Sequence, residues 1–187
     1  MASNRHLGRI IALQTLYEQE LREEAGDANF DVSEVLERNV VRYREMLSDV
    51  EFIRQLVAGV IKHAAQLDAT LQPVAPEWPI DQIARMDRIV LRIGLYELEN
   101  EADVPPKVVI NEAVELAKAF GGDNSSKFIN GVLGTLLRQR ETPAESAKAP
   151  ASAAKAAKPG AAKKPAAKKA AAKPSPKTTK KPTKKQA

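Results

Sequence analysis

Residues Arg85–Leu137 read RMDRIVLRIGLYELENEADVPPKVVINEAVELAKAFGGDNSSKFINGVLGTLL. This stretch contains three segments in which apolar residues recur every three or four positions, a spacing typical of helices. Pro105-Pro106 separates the first two segments, and Gly121-Gly122 separates the second from the third. Proline is favoured in the first turn of a helix and glycine just after the last turn, so the pattern predicts three consecutive helices.

The residues before this stretch follow the same helical spacing. Expected bounds are a first helix ending around Glu24–Asn29, a second from Ser33 to about Leu47, a third from Ser48 or Asp49 to Pro73, and a fourth beginning at Trp78–Asp81. We expect Asp123, Asn124 or Ser125 to cap the last helix. Within that helix, Gly131 and Gly134 are interpreted as positions where another helix approaches closely. The sequence therefore predicts an all-α fold.

Charge divides the chain into two parts. Residues 1–141 hold 16 Lys and Arg against 23 Asp and Glu, a net charge of −7, whereas residues 142–187 hold 13 Lys against one Glu, a net charge of +12. The second part is almost entirely Ala, Lys, Pro, Ser and Thr, so it cannot bury enough apolar surface to offset its ordering entropy. We predict one helical domain over 1–141 and a disordered basic tail over 142–187.

Composition also excludes several classes of function. The chain has no cysteine and only two histidines, so we expect no disulfide, no thiolate zinc site, no cysteine nucleophile and no histidine metal cluster. We expect no cofactor. Since no apolar run approaches about 18 residues and no signal peptide is recognisable, we expect no membrane span and place the protein in the cytoplasm.

Cations near the N-terminus are a first candidate site. Arg5 and Arg9 are four residues apart and share a helix face, with His6 adjacent to Arg5. They could contact nucleic-acid phosphates, or they could be solvated surface residues.

The turn before the last helix is a second candidate site. A glycine-flanked turn leads into a helix start, where free N–H groups favour an anion. Lys118 and Lys127 flank the turn, and Asn124 and Ser125 offer polar partners. Phe120 and Phe128 could each stack on a base, but we favour a core position for both.

Asn111 and Asn130 lie on consecutive predicted helices. Asn111 could be a satisfied core amide between helices or a group that binds RNA, and the sequence leaves both open. We include Asn130 among the candidate RNA-binding residues.

Several blocks of the sequence resemble the NusB family of bacterial transcription antitermination factors. The blocks are Ala12–Tyr17, Asp87–Leu98, Val104–Pro105 followed by Val109–Lys118, and Phe120–Gly121 with Ser125 and Lys127–Leu133. Together they cover most of residues 5–137 in the family's order. Family members often carry a dense arginine cluster at the N-terminus, and here only Arg5 and Arg9 remain.

The resemblance implies two packed helical bundles without enzymatic activity. It implies pairing with NusE, a small-subunit ribosomal protein, and binding to boxA RNA within the RNA polymerase antitermination complex. It also supports the RNA interpretation of the N-terminal cations, of Lys127 and of the capping residues Asn124 and Ser125. Ribosomal proteins are commonly basic, so the acidic body would attract one. Asp87, Arg88 and Glu99 are our candidate partner contacts.

Two rival functions are considered. A NusB-like ribosomal RNA methyltransferase would need a cofactor domain and a catalytic cysteine, and this chain has no cysteine. A nucleoid-associated or general nucleic-acid-binding protein would act mainly through the basic tail. The sequence leaves the oligomeric state open, including a homodimer.

Overall fold

The computed structural model of the protein describes residues 2–141, with side chains from Arg5 onward. Its helices are α1 (Ala2–Glu24), α2 (Val32–Arg42), α3 (Val50–Leu71), α4 (Arg85–Asn100), α5 (Pro106–Phe120) and α6 (Ser125–Glu141). Short 3₁₀ turns follow α2 and α3, at Arg44–Met46 and Gln72–Val74. Residues 2–141 contain no strand, which confirms the all-α prediction. The predicted tail lies outside the described residues, so its disorder and the domain boundary stay predictions.

The helices pack as two bundles around one continuous core. Helix α1 packs on α2 and α3, whereas α4 packs on α5 and α6. Helix α4 also packs against α1 and α3, so it joins the two bundles. Its apolar sequence is explained by this position, because Leu91, Ile93 and Leu95 are all buried. The predicted two-bundle architecture is confirmed.

Local capping sets the bounds of α2 and α3. The Asp31 carboxylate accepts a hydrogen bond from the Ser33 N–H at 2.7 Å, and the Asp49 carboxylate accepts one from the Phe52 N–H at 3.0 Å. These bonds satisfy free N–H groups of the first helical turn. The start of α3 after Asp49 was predicted, but α2 ends at Arg42 rather than near Leu47.

The predicted start of α4 at Trp78–Asp81 is wrong. The helix begins at Arg85, and the preceding residues form turns held by the side chain of Gln72. Its amide donates to the carbonyls of Ala75 and Trp78, and its side-chain oxygen accepts from the Ile80 N–H at 2.9 Å. Because these bonds satisfy the backbone outside a helix, Pro79 does not open one.

Close helix approach occurs at Gly94 of α4. A Cβ there would lie 2.6 Å from Leu133 Cδ1, so any other residue would force the buried Leu133 side chain of α6 to shift. A Cβ at Gly134 would lie 3.6 Å from Arg138 Nη1, which is ordinary contact distance. The interpretation of Gly134 as a close-approach position is therefore wrong.

Candidate nucleic-acid and partner interfaces

The N-terminal cations lie at the end of α1 that contacts α4 and α5. Arg5 is about one-third exposed and makes two long ion pairs, at 3.5 Å to Asp49 and 3.5 Å to Glu101. His6 Nδ1 lies 2.8 Å from a carboxylate oxygen of Glu112. The long pairs of Arg5 leave its guanidinium available for exchange with another anion, since exposed ion pairs contribute little.

Arg9 differs from its neighbours because it is buried, with 3% of its surface exposed. Its guanidinium donates to both carboxylate oxygens of Glu97, with Nη2–Oε2 at 2.6 Å and Nε–Oε1 at 2.8 Å. Glu97 is itself 1% exposed, and Glu112 adds a second carboxylate 3.3 Å away. The geometry directs Arg9 into the core rather than toward a phosphate.

This buried pair shifts the pKa of both partners. Burial lowers the pKa of Arg9, but the hydrogen bond and charge of Glu97, with help from nearby carboxylates, more than offset it, and the pKa rises. Burial raises the pKa of Glu97, and Arg9 only partly opposes this because Glu101 and Glu112 add like charge. Arg9 therefore stays charged and links α1 to α4 and α5.

The turn between α5 and α6 combines predicted surface residues with buried ones. Lys127 is exposed and has no ion-pair partner among residues 5–141, and Lys118 is exposed and pairs with Glu115 at 2.7 Å. Asn124 is half-buried. Ser125 is fully buried, and its hydroxyl accepts a hydrogen bond from the Gly122 N–H at 2.8 Å. Ser125 therefore shapes the turn.

The two phenylalanines beside this turn have opposite environments. Phe128 is 1% exposed, which confirms the core interpretation, whereas Phe120 is 37% exposed and contradicts it. Asn111 and Asn130 are both exposed on the α5–α6 hairpin, so the interpretation of Asn111 as a core amide is wrong.

Phe120 belongs to an apolar surface that the sequence analysis missed. It lines a depression of about 380 Å³ with Leu13, Tyr17, Leu21 and Met86. Leu21 is 48% exposed, although it follows the helical spacing of core residues. Clustered exposed apolar side chains are typical of protein interfaces. The sequence did contain a signal for this surface. The apolar face of α1 continues to Leu21, beyond the part of the helix that neighbouring helices cover.

The candidate partner contacts do not form one surface. Asp87 is 1% exposed. Arg88 is part-buried and donates to Glu20 at 2.6 Å, and Glu99 accepts from Arg140 at 2.5 Å. Glu20 also binds Arg92, so the basic stripe of α4 faces carboxylates of α1.

Asp87 has an unusual environment. Neither carboxylate oxygen has a hydrogen-bond partner among the described residues. Burial raises the pKa of Asp87, and the nearby Ser125 hydroxyl, which lies outside normal hydrogen-bond geometry, opposes the shift only in part. Asp87 therefore lies beneath the α5–α6 turn rather than on a surface that a partner can reach.

Among residues 2–141, no group of three or more His, Asp or Glu side chains is arranged to hold a metal ion. No helix in the same range is long and apolar enough to cross a membrane. The described chain offers three surface features: exposed cations and amides on the α5–α6 hairpin, Arg5 and His6 at the start of α1, and an apolar depression lined by the middle of α1, Met86 and Phe120. These features define an all-helical, two-bundle binding domain.

Comparison with known proteins identifies the family. A family model described as the NusB family matches residues 6–138. The transcription antitermination protein NusB of Chloroflexus aggregans is 44% identical over 151 residues, covering 78% of this chain and 97% of the relative. NusB of Staphylococcus haemolyticus is 41% identical over 133 residues, covering 71% and 98%. The chain belongs to the NusB family.

Solved structures agree with this assignment. Thermotoga maritima NusB superposes with a TM-score of 0.61 at 29% identity, covering 72% of this chain and 91% of that one. A crystal structure of antitermination factors NusB and NusE in complex with double-stranded RNA matches with a TM-score of 0.63 at 25% identity, covering 74% and 98%. These relatives match the helical body, and the family match ends before the basic tail.

Proposed function

We propose that this protein is a transcription antitermination factor that pairs with NusE and binds boxA RNA of nascent transcripts, without catalysing a reaction. Relatives at 41–44% identity are antitermination proteins, and a NusB–NusE complex with RNA shares the fold. The observation that carries the proposal is the side-by-side placement of a cationic and an apolar surface at the α5–α6 turn. An adaptor that joins an RNA to a protein needs both. Its place of action would be the cytoplasm, on the RNA polymerase antitermination complex.

The RNA surface we propose leaves out the predicted residues that are buried. Lys118, Asn124 and Lys127 border the start of α6, where backbone N–H groups and the helix dipole favour a phosphate. Arg5 provides a second cationic point at the start of α1, with the His6 imidazole beside it. We propose direct RNA contact for these five residues.

Two of the predicted RNA-binding residues take a supporting role in this proposal. Arg9 holds α1 against α4 through Glu97, and Ser125 shapes the turn through the Gly122 N–H. Both side chains are buried, so a phosphate would have to displace core contacts to reach them.

NusE is the occupant we propose for the apolar depression around Tyr17, Leu21 and Phe120. The body around it has a net charge of −7, which suits a basic ribosomal protein, since opposite charge speeds association. In this arrangement buried Asp87 would not contact NusE, and Arg88 and Glu99 would lie at the edge of the interface. A homodimer through the same depression is the competing arrangement.

A binding experiment tests the function. Purified full-length protein is mixed with NusE, with boxA RNA, with scrambled RNA and with double-stranded DNA. We expect a NusE complex that prefers boxA over scrambled RNA. Equal binding to every nucleic acid with NusE present would instead support a general nucleic-acid-binding protein that acts through its tail. A dimer that neither NusE nor RNA dissociates would refute the assignment of the apolar depression.

A further inference from the structure

A groove of about 310 Å³ runs between α5 and α6, on the side of α5 opposite the bundle core. It is lined by Lys107, Ile110, Asn111, Val114, Asn130, Gly134 and Arg138. Positions 107, 111, 114 and 118 fall on one stripe of α5, and positions 127, 130, 134 and 138 fall on the facing stripe of α6, by helical spacing. The two stripes run antiparallel, so the groove extends along the hairpin.

The order of chemical groups along this groove is regular. Lys107 and Arg138 lie at the end of the groove away from the turn, with Asn111 and Asn130 further along it. Lys118 and Lys127 continue the two stripes toward the turn, beyond the groove lining. The eleven steps from residue 107 to residue 118 span about 16 Å at a rise of about 1.5 Å per residue. Cations therefore lie at both ends of the two stripes, and the amides lie between them.

The side-chain amides in the groove have no hydrogen-bond partner in the described part of the chain. Asn111 and Asn130 are exposed, and neither side chain makes a hydrogen bond to any residue from 5 to 141. Lys107 likewise has no ion-pair partner in that range. Arg138 donates to the Thr135 hydroxyl at 2.8 Å and lines the groove at the same end as Lys107. The groove lining contains no carboxylate, although the body as a whole is acidic.

We infer that this groove binds single-stranded RNA, with the two asparagines hydrogen-bonding base edges and the terminal cations binding phosphates. A side-chain amide carries a donor and an acceptor side by side, which suits the edge of a base. Such edges are exposed only in unpaired RNA. Ile110 and Val114 add apolar surface against which a base can pack. The inference rests on the proposed RNA-binding function and extends it to a site away from the helix start.

The groove also continues the other proposed RNA contacts. Glu112, which pairs with His6, is next to Asn111 on α5 and faces α1. The start of α1 and the groove are thus separated by one helix, about 10 Å across. Lys118 and Lys127 lie beyond its other end, toward the turn, on the same two helical stripes. A single RNA strand bound along this line would run from the start of α1 across α5 to the turn.

The test compares full-length variants by fluorescence anisotropy with labelled boxA RNA and with a scrambled single strand. Asn111→Ala/Asn130→Ala removes the amides, and Gln66→Ala on α3 is the control for loss of an exposed amide. Both changes place a better helix former on a surface, so the folds should persist, which the thermal unfolding midpoint verifies. We expect the Kd for boxA to rise about tenfold in the double variant, with little change for the scrambled strand or in the control.

Lys107→Ala tests the phosphate contact, with Lys62→Ala on α3 as its charge-matched control. We expect Lys107→Ala to weaken both RNAs equally and to reduce the slope of log K against log salt by about 0.7, the value for one phosphate on a single strand. Lys62→Ala should leave both unchanged.

Three outcomes would overturn the inference. Asparagine variants that bind boxA within twofold of the parent chain would show that the groove does not read RNA, while the proposed function stands. Weakened NusE binding with intact RNA binding would assign the groove to the protein partner. A parent chain that does not bind boxA RNA would end both proposals.

Discussion

Replacing Arg9 by methionine separates a structural role from an RNA-binding role. Arg9 and Glu97 are 3% and 1% exposed and share a bidentate contact with distances of 2.6 and 2.8 Å. Removing one partner leaves the other charge buried and unpaired, which costs about 3–5 kcal/mol. For a domain of this size, that loss lowers the Tm by about 10–20 °C.

Urea unfolding of four chains measures the effect: the parent, Arg9→Met, Glu97→Leu and the double variant. Since apolar side chains of similar size often replace a buried ion pair at little cost, the double variant should be more stable than the sum of the single losses implies. Glu112 keeps His6 as a neighbour in all four chains, at 2.8 Å. RNA affinity, measured well below each Tm, should change less than twofold.

The opposite pattern would refute this reasoning. If the free energy of unfolding of Arg9→Met stayed within about 1 kcal/mol of the parent's while RNA binding was lost, Arg9 would be a phosphate contact, as its spacing from Arg5 suggested.

Three further predictions concern other parts of the chain. Deleting 142–187 should reduce the salt slope of RNA binding by about 4, if about six lysines each neutralise one phosphate, and should leave sequence preference unchanged in a competition assay. Asp87→Asn should stabilise the protein by about 1 kcal/mol at pH 7 in urea unfolding, because it removes a buried charge without partners. Because burial raises the pKa of Asp87, the folded state keeps this carboxyl protonated to a higher pH than the unfolded state does, so the stability of the parent falls as pH rises above 3.8. The stability advantage of Asp87→Asn should therefore disappear below that pH. Unchanged NusE affinity would agree with the burial of Asp87. Phe120→Ala should weaken NusE binding at a stability cost of about 1 kcal/mol, whereas Phe128→Ala should cost about 3–5 kcal/mol, and equal stability losses would contradict the difference in burial.

The bounds of α3, α5 and α6 could be predicted because their signals are local. Asp49 caps its helix with its own side chain, and Pro106 and Gly121 mark the ends of α5 within one turn. The start of α4 could not be predicted in this way. It depends on Gln72, whose side chain reaches eight residues along the chain to hold the turns before the helix.

The candidate site was predictable only for residues whose exposure follows from helical spacing. Lys127 and Asn130 lie on the polar stripe of α6 and are exposed as expected. Arg9 and Asp87 are charged residues that spacing alone would leave at the surface, yet both are buried by packing between distant helices. Phe120 shows the reverse, because an aromatic residue at the last position of a helix has no neighbouring turn to cover it.

Phe120 and Lys127 lie on either side of the α5–α6 turn, only seven positions apart in the sequence. If the aromatic ring contacts a protein while the lysine contacts a transcript, the same short peptide is restrained twice. The entropy lost in the first restraint need not be lost again in the second, so each ligand would favour the other. Thermodynamic linkage then requires the gain in transcript affinity caused by the protein to equal the gain in protein affinity caused by the transcript.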